Sequence, residues 1–409
     1  MTSIAEPVRA SIVTPFRIGV AGVILGALSF WIALPPLHTR NLVAPALLAA
    51  AAAVAGGYAA WQGEVRAGWG AIVIGGLGLG LAYLATRSSV DNLEIAFTWS
   101  SLIAAMFVFA TPLIYGSLGG IFSERSGIVN IGIEGMMLMG AFWGIWGADV
   151  TGSWITGVLI GMVAGGLIAL VHAFFSIHLR ADQIISGTAI YFLSLGITGY
   201  AFIQLYGDKN IPAGVSEIPR LQLRFLDHIP PDAVGDFLYG AFGRLSLMIW
   251  IGFLCVAITH VVIFKTPLGL RLRSCGEHPR AADTVGISVY GMRYFAVVLS
   301  GMLAAAGGAF LSVGVVSSFT EGMTGGRGFI ALAAVIAGNW RPFGALFFAC
   351  LFGFCYSLAL QLGNTYRDSV AGLDVLAGML PYVITLIIVA GVIGKSFPPA
   401  AVGRPYTKQ

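Results

Sequence analysis

The sequence predicts an all-α polytopic membrane protein with about 10–12 transmembrane helices, including broken and half-length helices. Hydrophobic residues make up 57% of the 409 residues and charged residues only 10%, whereas soluble domains carry about 25% charged residues. So few charges could not cover the surface of a water-soluble protein of this length, so lipid must surround most of the chain. Glycine, at 56 residues, is about twice as frequent as its usual share of about 7%, which suits closely packed or broken membrane helices.

Apolar stretches long enough to cross a bilayer, which takes about 20 helical residues, recur along the whole chain. They cover residues 18–34, 42–60, 69–84, 102–118, 129–146, 154–177, 184–205, 245–264, 294–316, 343–362 and 378–394. The first stretch could be mistaken for a secretion signal. Because Pro35-Pro36-Leu37-His38 is not the small-residue cleavage site of such signals, we expect it to remain as a membrane span.

Several features predict irregular spans. The apolar stretch Phe329–Gly338 is too short to cross a bilayer and follows the glycine-rich turn Gly322–Gly328, so we expect a half-helix there. Pro112 and the pair Gly132 and Gly135 are expected to interrupt the spans that contain them. Such breaks are tolerated only where the backbone is buried in protein or lines a cavity.

The distribution of Lys and Arg favours a topology with both chain termini in the cytoplasm, if the short stretch counts as a crossing. In this topology, residues 207–244 form an external loop, residues 265–293 a cytoplasmic loop and residues 396–409 a cytoplasmic tail.

The cytoplasmic loop predicts a short helix that lies flat on the membrane surface. Pro279 suits the first helical turn, where its missing N–H costs nothing, and Gly286 suits the C-terminal end. The two turns between them would carry Arg280–Asp283, whose small residues would let a partner surface approach. On these grounds alone, an ordinary solvated loop is the alternative.

Three segments resemble signatures of one family. Gly276–Ile287 reads GEHPRAADTVGI and resembles the coupling-helix region of ABC permeases of the branched-chain amino acid, ribose and nucleoside group. That region reads G-E-N-P-x-A-A-x-x-x-G-I, so His278 replaces a common Asn. Glu124–Met137 resembles the E-R-x-G-x-x-N-I/L-G-x-E-G-M-M signature of the nucleoside-type branch. Gly328–Ile336 is similar to the G-F-x-A-I/L-A-V-A short helix of the same permeases. The resemblance implies a permease core at residues 95–395 and leaves residues 1–94, with extra N-terminal transmembrane helices, outside that core.

The resemblance implies a membrane-spanning permease subunit of an ATP-driven ABC importer, with nucleosides as the solute. It implies a multi-pass location in the bacterial cytoplasmic (inner) membrane and three protein partners. These are an ABC ATPase subunit, a second permease subunit (identical or homologous) and an extracytoplasmic solute-binding protein. The coupling helix of such permeases rests in a groove of the ATPase, so the residues expected to serve this contact are Gly276, Glu277, Pro279, Arg280, Ala281, Ala282, Asp283 and Gly286.

The sequence offers no phosphate-binding loop of its own. The nearest lookalike, Val389–Ser396, has Val where the first Gly must be and runs into Phe397-Pro398-Pro399 instead of a helix. The four cysteines lack zinc-ligand spacing, and no segment is basic enough to indicate nucleic acid. We therefore expect no enzyme activity, catalytic residue, metal site or cofactor in this chain, with ATP and Mg²⁺ bound by the partner ATPase.

Polar and aromatic residues beside the broken spans are candidates for the substrate pathway. The candidates are Asn130, Glu134, Gln183 and Phe329. Asn130 and Glu134 lie four residues apart on one face of a broken helix, and a carboxylate at membrane depth is costly unless it faces a cavity or a partner. The alternative is that Glu134 caps a helix end or pairs with Arg125 or Arg180.

The sequence favours ATP-driven import over two other classes of function. An ion-coupled secondary transporter would need several buried carboxylates, and Glu134 is nearly alone. A membrane enzyme would need a cluster of His, Asp or Glu at one depth, whereas His172, His178 and His260 are scattered at span ends. Among importers, ribose-like sugars, branched-chain amino acids, riboflavin and urea are alternative solutes, because similar permeases carry them.

Overall fold

A computed structural model describes residues 14–32, 41–87, 98–207, 215–366, 379, 383 and 397–408. Eight helices among these residues are long and apolar enough to cross a membrane. The predicted class, an all-α polytopic membrane protein, is therefore confirmed. The predicted span at residues 378–394 lies outside the described residues, apart from two isolated positions.

Contacts divide the chain into two compact units. The first comprises residues 1–99, 359–379 and 390–392, and the second comprises residues 100–358, 380–389 and 393–409. The described helices of the first unit are α1 (Pro15–Ile32), α2 (Val43–Trp61) and α3 (Val65–Arg87). The second unit holds nearly all of α4 (Trp99–Arg125), most of α14 (Pro342–Tyr366), and α5 (Ile133–Thr151), α6 (Trp154–Ala173), α7 (Gln183–Tyr206), α8 (Asp232–Phe242), α9 (Leu247–Lys265), α10 (Pro267–Glu277), α11 (Pro279–Thr284), α12 (Val289–Ala309) and α13 (Arg327–Ala337). The π-helical turns Phe174–His178 and Phe310–Val316 extend α6 and α12.

Small residues bring the three helices of the first unit into backbone contact. A Cβ added at Gly26 would lie 2.7 Å from the backbone nitrogen of Gly75, and one at Gly56 would lie 2.5 Å from the carbonyl oxygen of Gly68. Large apolar side chains such as Trp61, 80% exposed, point away from these contacts. This arrangement is typical of membrane helices, where close backbone packing holds the helices together and apolar side chains meet lipid.

The second unit is centred on the antiparallel pair α6 and α12. A Cβ at Gly165 would lie 2.7 Å from the carbonyl oxygen of Gly301, and one at Gly301 would lie 2.5 Å from the carbonyl oxygen of Gly165. Because glycine alone fits such spacing, the two helices are fixed side by side along most of their length. This pair is the scaffold against which the irregular segments lie.

Two predicted interruptions are wrong. Helix α4 continues through Pro112, because buried neighbours in a membrane protein can satisfy the groups that a proline frees. Gly135 lies inside α5 and instead permits close packing, since a Cβ there would lie 2.8 Å from Ser194 Oγ. At Gly132 the prediction is confirmed: residues 128–132 are not helical and α5 begins only at Ile133.

Helix α9 separates the two ends of the second unit. Its 19 residues span about 28 Å at 1.5 Å per residue, which is close to the thickness of a bilayer core. A 3₁₀ turn at Arg224–His228 and helix α8 precede it, and α10 follows it after a single residue. We call the end that carries α10 and α11 the coupling end, and the end that carries α8 the opposite end.

The predicted cytoplasmic loop folds into two helices. The expected short helix is present as α11, which begins at Pro279 and ends at Thr284, before Gly286 takes a φ of 83°. Helix α10 was not predicted, because its glycines and arginines look like a loop. It forms because Pro267 occupies the first turn and the Thr266 hydroxyl accepts the Gly269 N–H at 3.2 Å, a standard helix start.

Candidate functional site

The coupling segment, which we define as Gly276–Gly286, is seated on the end of α4. A Cβ at Gly276 would collide with the carbonyl oxygen of Arg125, so only glycine permits this contact. Gly276 is buried, while Glu277 is exposed and its carboxylate accepts the Ala400 N–H at 3.1 Å. The segment is therefore tied to the protein at its start and becomes accessible further along.

Helix α11 presents one face to solvent. Arg280 and Ala281 are exposed, Asp283 is half-buried, and Val285 beyond the helix is 74% exposed. Ala282 is only 3% exposed and contacts Cys275 in a small apolar cluster. Both alanines are among the residues expected to serve the ATPase contact, but only Ala281 is exposed, because the side chains of neighbouring helical residues point about 100° apart.

Glu134 caps the half-helix α13. One carboxylate oxygen accepts the Thr324 hydroxyl and the Gly326 N–H, both at 2.7 Å, and the other accepts the Gly328 N–H at 2.5 Å. Glu134 is 1% exposed, and a carboxylate suits the positive N-terminal end of a helix. Of the alternatives weighed from the sequence, the structure has the capping arrangement, and the Arg125 guanidinium instead donates to the Trp340 carbonyl.

The other end of α13 is held by a second carboxylate. The Trp340 indole N–H donates to the Glu124 carboxylate, and both side chains are buried. Asn339 and Trp340 have φ angles of 54° and 53°, a left-handed turn that reverses the chain between α13 and α14. Glu124 and Glu134 belong to the same sequence signature, so this signature supplies both anchors of the half-helix.

Residues 128–132, which we call the re-entrant segment, are held by side chains of three helices. The Asn130 amide donates to Ser300 Oγ at 3.0 Å, and the Gln183 amide oxygen accepts the Val129 N–H at 2.7 Å. His172 Nε2 lies 3.2 Å from the Val129 carbonyl oxygen. The sequence shows His172 only as a residue at a span end, because nothing local signals a partner 43 residues away.

Buried polar atoms without partners occur along the re-entrant segment and the first turn of α5. Within the described residues, Asn130 Oδ1, Gln183 Nε2 and Ser194 Oγ form no hydrogen bond. Asn130 Oδ1 would be 3.3 Å from a Cβ at Gly132, and Ser194 Oγ would be 2.8 Å from a Cβ at Gly135. Buried polar atoms normally have partners, so these groups are suited to water or to a polar solute.

An aromatic pair lies beside the cap of α13. Phe329 is 42% exposed and its ring centroid lies 5.8 Å from that of Tyr191, at an interplanar angle of 74°. Phe329 follows Gly328, whose N–H is bound by Glu134. The half-helix therefore places an accessible aromatic ring next to its anchored end. Tyr191 was not singled out from the sequence, and only its position opposite Phe329 reveals it.

Among the described residues, no group of three or more His, Cys, Asp or Glu side chains is placed to bind a metal ion.

At the opposite end of the second unit, a cleft of about 500 Å³ is lined by three arginines together with other polar side chains. The lining residues are Arg220, Gln222, Arg224, Asp227, His228, Tyr239 and Arg244.

Comparison with known proteins places these features in a family. Residues 102–390 match the family described as "Branched-chain amino acid transport system / permease component". The chain is 38% identical over 328 residues to the guanosine ABC transporter permease protein NupQ of Bacillus subtilis, a match covering 77% of this chain and 99% of NupQ. It is 37% identical over 330 residues to the nucleoside ABC transporter permease protein NupC of Lactococcus lactis, with the same coverage.

A further relative has a different named solute. TsgC13 of Haloferax volcanii, provisionally named a glucose ABC transporter permease protein, is 36% identical over 266 residues, which cover 64% of this chain and 78% of TsgC13. No solved structure matches the chain significantly.

Proposed function

Because the chain belongs to the permease family of the branched-chain amino acid transport system, it is a membrane-spanning transporter subunit, and we propose that it carries nucleosides inward as part of an ATP-driven importer. The observation that carries the proposal is the match to two relatives, named for guanosine and for nucleosides, over 99% of each. We propose a bacterial cytoplasmic membrane location, with the coupling end and the chain termini facing the cytoplasm.

The pathway chemistry suits a nucleoside. A base has an apolar face that stacks on an aromatic ring, and Phe329 with Tyr191 offers such a ring beside the half-helix. A ribose has hydroxyl groups that need hydrogen-bond partners, and Asn130, Gln183 and Ser194 carry unbonded polar atoms in succession along the re-entrant segment and the start of α5. We propose that Asn130, Gln183 and Phe329 line the pathway and that Glu134 keeps the half-helix in place for them.

Energy would come from a separate chain. We propose that an ABC ATPase subunit, which binds the ATP and Mg²⁺, docks on the exposed face of the coupling segment, formed by Arg280, Ala281 and Val285. The small Ala281 and the apolar Val285 allow a partner surface to come close, and the fixed seat of Gly276 on α4 would pass the movement of the ATPase to the membrane helices. A second permease subunit, identical or homologous, would complete the pathway.

A solute-binding protein would dock at the opposite end. Arg220, Arg224 and Arg244 surround the 500 Å³ cleft there, and a surface with several guanidinium groups attracts an acidic partner and speeds encounter at low salt. We propose that the extracytoplasmic binding protein presents acidic side chains to this cleft.

The proposal is tested by uptake. The chain is produced with the ATPase, second permease and binding protein of its proposed importer, in a bacterium that lacks its own nucleoside uptake. We expect uptake of radiolabelled guanosine that requires ATP hydrolysis and is competed by unlabelled nucleosides. Uptake that follows a proton or sodium gradient, without need for the ATPase, would contradict import by ATP.

One other solute has a specific observation in its favour, the 36% identity to TsgC13. The same assay separates the two solutes. If glucose or ribose competes with labelled guanosine as strongly as inosine does, or is itself taken up while guanosine is not, the permease serves a sugar importer.

A further inference from the structure

The C-terminal residues 397–408, which we call the strap, run across the coupling end of the second unit. The Ala401 N–H donates to the Gly276 carbonyl at 2.8 Å, and the Gly403 N–H donates to the Gly127 carbonyl at 3.1 Å. The Ala400 N–H donates to the Glu277 carboxylate. These bonds join the start of the coupling segment to the turn that leads into the re-entrant segment.

The strap also forms part of the surroundings of a buried cation. Arg293, in the first turns of α12, is 1% exposed. Its Nε donates to the Ser126 carbonyl at 3.2 Å, its Nη1 donates to the Arg404 carbonyl at 3.4 Å, and the guanidinium carbon lies 6.0 Å from the centroid of the Tyr406 ring. A buried charge is costly without such partners, so the strap stabilises the position of Arg293 between α12 and the Ser126 turn.

Tyr406 is the apolar anchor of the strap. It is 6% exposed and clusters with Cys275, Ala282 and Val289, one residue each from α10, α11 and α12. The Tyr290 hydroxyl donates to the Tyr406 carbonyl at 3.3 Å, and the two rings lie 5.6 Å apart. Burial and the neighbouring Asp283 carboxylate raise the pKa of Tyr406 to about 12, so the phenol is neutral at physiological pH.

Helix α11 depends on contacts of this kind. It has six residues, of which Ala282 is the buried one, and an isolated helix of that length is not stable in water. Its position against α10 and α12 is therefore set by the Ala282 cluster, to which Tyr406 contributes the largest of the four buried side chains. Without Tyr406, α11 would lose this side chain from the apolar surface that fixes it.

We propose that the strap makes the coupling segment, the base of α12 and the turn before the re-entrant segment move as one body, with Tyr406 as a positioning residue for energy coupling. This rests on the proposed function, in which the coupling segment receives movement from the ATPase. In the absence of the strap, the ATPase would still bind and hydrolyse ATP, but α11 would shift without carrying the re-entrant segment with it.

The test uses the full importer with two variants that break the strap at different points. Tyr406→Ala removes the anchor, and Gly403→Pro removes an N–H donor and forbids the φ of 76° that Gly403 adopts. Lys408→Ala is the matched control, because Lys408 is an exposed strap residue. For each importer, ATP hydrolysis and guanosine uptake are measured on the same proteoliposomes.

The expected result is a rise of about tenfold or more in ATP hydrolysed per nucleoside imported for both strap variants, and no change for Lys408→Ala. A variant that is merely unstable loses hydrolysis and uptake in parallel, so an unchanged ratio overturns the proposal.

A second readout does not depend on transport. Burial raises the pKa of the Cys275 thiol, which is fully buried beneath the strap, so its reaction with N-ethylmaleimide should be slow in the wild type. Reaction is followed by mass spectrometry on the tryptic peptide Ser274–Arg280, in which Cys275 is the only cysteine. We expect modification of Cys275 to be about tenfold faster in both strap variants, and equal rates in wild type and variants would overturn the proposal that the strap holds this region together. If wild-type guanosine uptake fails while this difference in rate persists, the solute assignment is wrong and the proposal about the strap is retained.

Discussion

Replacing Glu134 by Gln is the most informative single change, because it separates a capping role from a role in the pathway. The wild-type carboxylate accepts three hydrogen bonds, from Thr324, Gly326 and Gly328. Glutamine has nearly the same shape, but it offers one acceptor oxygen and an NH₂ group in place of two acceptors.

The cost follows from these three bonds. If the amide oxygen takes the place that serves Thr324 and Gly326, two charge-assisted bonds become neutral ones, at a loss of about 1 kcal/mol each. The Gly328 N–H then faces the NH₂ group and is left buried without an acceptor, which costs about 1–3 kcal/mol. The total is about 3–5 kcal/mol, a large part of the stability of a typical folded protein, which is about 5–15 kcal/mol.

The assay is thermal unfolding of the purified protein in detergent, followed by uptake in the reconstituted importer. We expect Glu134→Gln to lower the apparent melting temperature by about 5–10 °C and to reduce uptake in proportion to the loss of folded protein. Glu321→Gln is the matched control, because Glu321 is an exposed carboxylate in the loop before α13. If Glu134→Gln unfolds at the wild-type temperature and yet abolishes uptake, the capping argument fails and a direct pathway role takes its place.

Three further predictions follow from the same structure. Ala281→Glu should abolish ATPase co-purification without changing the melting temperature, because Ala281 is exposed. Ala282→Glu should instead lower the melting temperature, because it buries a charge. Equal melting temperatures for the two variants would contradict the orientations of these side chains. Phe329→Leu should reduce guanosine uptake roughly tenfold by removing base stacking, while Phe329→Tyr keeps it, and equal uptake by both variants would exclude stacking. Reversing charge with Arg220→Glu and Arg244→Glu should weaken docking of the binding protein several-fold at low salt and less at high salt. Surface plasmon resonance measures this affinity, and a loss of affinity that is independent of salt would contradict an electrostatic contact.

Local signals in the sequence predict much of this fold. Apolar length predicts the spans, and the short stretch after a glycine-rich turn predicts the half-helix α13. Pro279 and Gly286 bound the coupling helix within two residues, because helix starts and stops depend on residues that are adjacent in the chain.

The remaining features depend on contacts between distant residues. Asn130 meets Ser300, which lies 170 residues away, and Glu134 meets Thr324, which lies 190 residues away, and no local pattern states which partner a buried polar group will find. The sequence therefore left the capping and pathway roles of Glu134 open. The strap is even less visible in the sequence, because residues 397–408 have no regular helix or apolar run of their own. Hydrogen bonds to the backbone of other segments hold these residues in place.

The contacts connect the coupling segment to the pathway through the half-helix. Gly276 lies against the carbonyl of Arg125, the Arg125 guanidinium binds the Trp340 carbonyl, and Trp340 follows the end of α13. A helix of 11 residues is about 16 Å long and stiff, so a displacement at Trp340 must reappear at the other end, where Glu134 and Phe329 lie. The long spans around it are locked by glycine contacts such as that between Gly165 and Gly301. We therefore expect the movement of the coupling segment to reach the pathway through α13, as a displacement of this half-helix and its two carboxylate anchors.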